Sequence, residues 1–114
     1  MTPEEKGANV ALLAEKVMRW TLEPLRDGFR AKLPDGNMLC IGRAGSILRE
    51  WDPYASIADA MEMLEKFRWT LESTSIGYYF MLDYEDGPSA RSADVREAIC
   101  AACVEWARAQ GERG

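Results

Sequence analysis

Histidine is absent from the 114 residues of the chain. Its absence removes the commonest general base, the commonest metal ligand and every Ser–His or Cys–His nucleophile pair. Cysteine is scarce, with only Cys40, Cys100 and Cys103. An odd number of thiols in a chain without a secretory leader argues against a disulfide framework. The opening MTPEEKGANV has neither the basic start nor the apolar centre of a signal peptide. No apolar run approaches the roughly 18–20 residues that span a bilayer. Positive charge is in deficit: the formal net charge of −5 repels phosphate backbones and excludes a general nucleic-acid-coating role. Linkers, low-complexity tracts and internal repeats are missing too, so residues 1–114 are expected to form one domain.

What is present is an ordinary globular balance. Hydrophobic residues make up 47% and charged residues 29%, which excludes disorder. A chain of this length buries roughly two thirds of its unfolded surface, enough for one core without disulfides or metal. The CAAC run, Cys100 to Cys103, has redox or zinc spacing, but it sits inside the apolar VREAICAACVEW, where small thiols suit close helix packing.

Periodicity predicts a first helix from about Pro3 to Arg19, capped by Thr2 with Glu5 three residues on; Gly7 weakens its first turns, so regularity is expected nearer Asn9. RWTLEPL, GFRAKL and MLCIG read as a meander of three strands, turning at Asp27-Gly28 and at PDGN. Ser56 is expected to cap a second helix burying Ile57, Ala60, Met61, Leu64 and Phe67. WTLEST and GYYFMLDY form a second hairpin; Tyr78, Phe80, Leu82 and Tyr84 point one way, Tyr79 and Met81 the other. EDGPSAR reads as a loop. Ser92 then caps a third helix with a stripe of Val95, Ile99, Ala102, Cys103 and Trp106, ended by Gly111. The expected fold is α+β, in the order α-β-β-β-α-β-β-α. It is an α-β-α sandwich whose mainly antiparallel sheet of about five strands lies between three helices.

Three blocks, ALLAEKVMRW (11–20), WDPYASIADAMEMLEKF (51–67) and VREAICAACVEWA (95–107), in this order and spacing resemble the phage ABA sandwich domain family, the BC1872-like small phage and prophage proteins. Members often read P-S-T-D-I where this chain has PYASI, so Ser56 stands in place of an aspartate cap and Tyr54 in place of a serine. The resemblance implies the sandwich fold, a phage or prophage origin and a place of action in the cytoplasm of the bacterial host. Phage proteins of this size include inhibitors of bacterial immunity that hold nucleotide signals without cleaving them, an analogy of size and origin.

The stretch GRAGSILREWDPYAS, Gly42 to Ser56, concentrates recognition chemistry outside regular structure. Gly42 and Gly45 can form an anion-binding nest of amides. Arg43 and Arg49 can fork onto phosphate, Trp51 and Tyr54 can stack on a base, and Ser56 begins a helix whose amides favour phosphate. The competing reading is structural, with the glycines turning the chain, Trp51 anchoring the loop and the arginines solvated. Among the carboxylates, Asp52, Asp83, Glu85 and Asp86 have no spacing that brings two together for acid–base work. The expectation is therefore a non-enzymatic anti-defence protein. It would sequester an anionic nucleotide-type signal (an ADP-ribose derivative or cyclic nucleotide) through Arg43, Arg49, Trp51, Tyr54 and Ser56, self-associate, and use no metal or cofactor, nucleic acid or membrane. The alternative is a protein-binding inhibitor or regulator of a host or defence protein.

Overall fold

The computed structural model describes residues 2–26, 28–42, 48–83 and 87–113, without the side chains of 111–113. The chain folds as two compact units, 1–52 and 53–114.

The first unit is one helix on a three-stranded meander. Helix α1, Pro3–Lys16, starts at its first possible residue: Thr2 Oγ1 accepts from Glu5 N at 3.1 Å, and Pro3 loses nothing where amides are unpaired. The regular helix thus includes Gly7, and its first turns are intact. It ends earlier than Arg19, because Arg19 takes a left-handed φ of 61° and Trp20 N closes onto Ala14 O at 3.0 Å. Strands β1 (Thr21–Leu25), β2 (Gly28–Lys32) and β3 (Met38–Ile41) pair antiparallel in the order β1-β2-β3. The PDGN turn forms as expected: Gly36 has φ 90°, and Asp35 accepts from Asn37 N at 2.9 Å. Asp27 lies outside the described residues. Helix α1 packs on this sheet, and Val10, Leu13, Ala14, Ala31, Leu39 and Ile41 are buried.

The second unit holds α2 (Ile57–Leu64), β4 (Trp69–Thr74), β5 (Gly77–Leu82), β6 (Ser89–Ser92) and α3 (Val95–Arg113). Its sheet is antiparallel in the order β4-β5-β6, so the described residues form six strands in two three-stranded sheets, not about five in one sheet. The additional strand, Ser89–Ser92, takes in the end of the EDGPSAR segment expected to be a loop, together with Ser92. It is short and polar, with none of its residues fully buried, and it is recruited by pairing with Tyr78–Met81. Glycine is required at the β4–β5 turn: Gly77 has φ 144°, and a Cβ there would lie 2.5 Å from Ser92 O.

Helix α3 lies over β5 and β6, with Ala98, Ile99, Ala102, Cys103 and Ala107 fully buried. Its small side chains let the helix approach Phe80 and Leu82, the buried members of β5. All three cysteines are buried and none is in a disulfide, and burial pushes the Cys103 thiol up to about 12. Asp94 caps α3, not Ser92: Asp94 Oδ1 accepts from Arg96 N at 2.8 Å, while Ser92 Oγ accepts from Asp94 N at 3.2 Å. Gly111 does not end the helix, which runs to Arg113. Helix α2 packs against α3 but is rotated from the expected face. Asp59, Ala60, Met63 and Leu64 are buried, whereas Ile57 and Met61 are exposed and Phe67 lies beyond the helix end, its ring edge-on to Trp106 at 4.9 Å. An eight-residue helix makes about two turns, so a single-residue shift in phase changes which apolar side chains reach the core. Tyr84 lies outside the described residues.

Candidate functional site

The Gly42–Ser56 stretch is partly tied to the sheet of the first unit. Cys40 N donates to Arg49 O at 3.0 Å and Trp51 N to Cys40 O at 2.9 Å, a parallel bridge of Cys40 with Glu50. The stretch was expected to have no regular pairing; the bridge needs only backbone groups, which side-chain type does not report. It carries Trp51 into the interior, where the residue is fully buried and its ring meets Trp20 edge to face. Trp51, expected to offer a ring to a base, therefore presents no face for stacking. Its indole Nε1 is buried with no hydrogen-bond partner among the described residues.

The remaining residues of the expected site fall as follows. Arg43 and Gly45 lie outside the described residues. Arg49 is exposed and Tyr54 half-buried. Ser56 Oγ accepts from Asp59 N at 3.3 Å and so caps α2. The carboxylate of Asp59 sits in the same first turn, a poor setting for a phosphate. Arg49 belongs to the first unit, Tyr54 and Ser56 to the second.

Each unit has a concavity among its described residues. In the first, the ends of the Gly42–Ser56 stretch and α1 enclose about 220 Å³. Pro3, Gly7 and Val10 form an apolar wall, while Lys6, Glu50 and Asp52 supply charge, Lys6 Nζ lying 3.2 Å from Asp52 Oδ2. Two carboxylates against one paired ammonium make this a setting for a hydroxyl-rich or cationic group rather than a phosphate.

The second unit holds a larger hollow, about 470 Å³, at the end of its sheet, lined by the β4–β5 turn (Thr74, Ser75, Ile76), Tyr78, and Arg91, Ser92 and Ala93. Its size falls in the range of small-ligand sites. The lining includes Arg91 and four hydroxyl-bearing residues, Thr74, Ser75, Tyr78 and Ser92, but no Asp or Glu. Arg91 lies 5.1 Å over the Tyr79 ring and has no carboxylate partner among the described residues. Thr74 Oγ1 is engaged, donating to Gly77 O at 3.1 Å, and Ser92 Oγ accepts from Asp94 N, so both are held in place. Ser92 keeps its hydroxyl proton to donate, and with Arg91 beside it the hollow can receive an anion. Residue type alone does not reveal this hollow, because Arg91 and Tyr78 come together only through β6, which did not read as a strand. No group of three or more His, Cys, Asp or Glu suited to a metal occurs among the described residues.

Three helices and two antiparallel sheets with a hydroxyl-lined hollow define a small α+β protein. The chain belongs to the phage ABA sandwich domain family, whose model matches residues 11–104, so it is a phage-type protein. Neither the curated proteins nor the solved structures contain a significant match to it. Among the described residues no helix is long and apolar enough to cross a membrane.

Proposed function

We propose that this phage protein binds and sequesters an anionic nucleotide-type signal, without turning it over, inside the bacterial host. The observation that supports this reading is the 470 Å³ hollow, where Arg91 and a set of hydroxyls meet with no carboxylate to repel a phosphate. Arg91 neutralises the anion, Ser75 and Tyr78 donate to it, and the exposed Ile76 covers the apolar part of the ligand. The absence of histidine, the commonest general base, is in keeping with holding such a ligand rather than cleaving it. Arg43 and Arg49, both in the first unit, remain a second proposed set for the same ligand class.

Calorimetric titration with ADP-ribose derivatives and cyclic dinucleotides tests the proposal. Wild type should bind one of them, and chromatography should return it unchanged. Arg91→Ala should weaken binding roughly ten- to a hundred-fold, as loss of one charged contact does. If Arg43→Ala and Arg49→Ala weaken binding and Arg91→Ala does not, the ligand sits on the Gly42–Ser56 stretch. If wild type binds none, sequestration fails; one stoichiometric protein captured from a bacterial lysate would then favour an inhibitor of a host or defence protein.

A further inference from the structure

We propose that the free edge of β4 pairs antiparallel with β4 of a second copy of this chain, about a two-fold axis through Thr70. Strand β4 ends its sheet, and no described strand pairs with its outer side. The bond from Asp83 N to Arg68 O, 2.9 Å, sets the phase of the ladder. Arg68, Thr70 and Glu72 turn their backbone groups toward β5, so Trp69, Leu71 and Ser73 turn theirs outward, unpaired.

Three usual protections of an exposed edge are missing. Trp69–Thr74 contains no proline and no lysine, and it pairs with β5 residue for residue, without a bulge. Its side chains look unfinished as well. Trp69, Leu71 and Ser73 share the sheet face of Phe80 and Leu82, which α3 covers at β5. At β4 the cover stops: Trp69 is 36% and Leu71 37% exposed, although the Trp69 ring stacks on Phe80 at 6.1 Å. On the opposite face, Arg68 and Glu72 are exposed charges of opposite sign, and neither has an ion partner among the described residues.

One register pairs Trp69, Leu71, Arg68 and Glu72 at once. With Thr70 facing its own copy, Trp69 lies opposite Leu71 of the second copy, and Arg68 opposite its Glu72. The axis repeats both pairs. Trp69 and Leu71 are the outward-pointing residues, so each pair also exchanges both backbone hydrogen bonds. Directly opposed side chains sit about 4.5–5.5 Å apart at Cβ, within reach for an ion pair and an aromatic–aliphatic contact. Shifting the axis to Glu72 would oppose two carboxylates, and shifting it to Leu71 would separate Arg68 from Glu72. A pairing this short engages fewer residues than the roughly 20–30 per side of a standard interface, so its dissociation constant belongs in the micromolar range.

Sedimentation across micromolar to millimolar concentrations should show the full-length chain moving from 12.8 kDa to twice that mass. Arg68→Glu and Glu72→Arg should each weaken association about ten-fold or more, since each places like charges opposite one another twice. The double reversal should restore it, because the pairs re-form with signs exchanged. Thr70→Cys should give a disulfide-linked dimer on mild oxidation, as the native thiols are buried. A wild type that stays at 12.8 kDa throughout overturns the proposal. So does a dimer indifferent to both reversals, or a double reversal no better than the single ones.

Discussion

The ring of Trp20 meets the ring of Trp51 edge to face, with centroids 5.1 Å apart and planes at 72°. Trp20 follows the left-handed turn at Arg19, and Trp51 is drawn in by its backbone bond to Cys40, so two distant segments close one core. Aromatic pairs in this geometry contribute about 0.5–1.5 kcal/mol beyond their buried area. Trp51→Ala should therefore cost about 3–5 kcal/mol in denaturant unfolding. Trp51→Phe should cost clearly less, because it keeps an aromatic ring and removes an indole N–H that has no partner. A loss for Trp51→Phe as large as that for Trp51→Ala would contradict this account.

Gly77 offers a sharper test of the second sheet. Its φ of 144° suits glycine alone, and an added Cβ would meet Ser92 O at 2.5 Å and Ala93 Cα at 2.8 Å. Gly77→Ala should lower stability by about 1–3 kcal/mol. Hydrogen exchange should show the loss first in β5 and β6, where the clash lies.

Asp94 couples the start of α3 to pH. Hydrogen bonding from the Arg96 side chain, then from its backbone N–H, holds the Asp94 carboxyl below its ordinary value. The folded pKa is the depressed one, so the stabilisation is complete above the unfolded value of about 4 and fades as pH falls through the folded value. Asp94→Asn keeps a capping side chain but removes the charge. The thermal midpoint of wild type should exceed that of Asp94→Asn at neutral pH, and the gap should close below about pH 4. A gap that widens in acid would contradict the assignment.

Cys103 should be inert in the folded protein. With its thiol pushed up to about 12, only about one molecule in ten thousand carries a thiolate at pH 8. Iodoacetamide followed by mass spectrometry should find no label at Cys103 under native conditions, and full labelling once the chain is unfolded. Rapid native labelling would show that α3 leaves its sheet.

The sequence by itself determined most of the element list. Thr2, Pro3 and Ser56 mark helix starts because caps are local chemistry, readable within four residues. The meander from Thr21 to Ile41 was legible for the same reason, since its turns at Gly28 and Gly36 demand positive φ. The family, too, was visible in three blocks that fall within or overlap residues 11–104.

Only the tertiary structure decided which faces are used. Ser89–Ser92 becomes a strand because Tyr78–Met81 offers it an edge, and its own side chains carry little apolar period. The burial of Trp51 follows from the backbone of Cys40, and the exposure of Ile57 and Met61 from the angle at which α2 meets α3. Arg91 and Tyr78 lie thirteen positions apart and line one hollow only after β6 has paired. Caps and turns act between neighbours along the chain, so residue type reveals them. Strand recruitment, helix rotation and the lining of a hollow depend on partners brought close by folding, and residue type alone does not encode those distances.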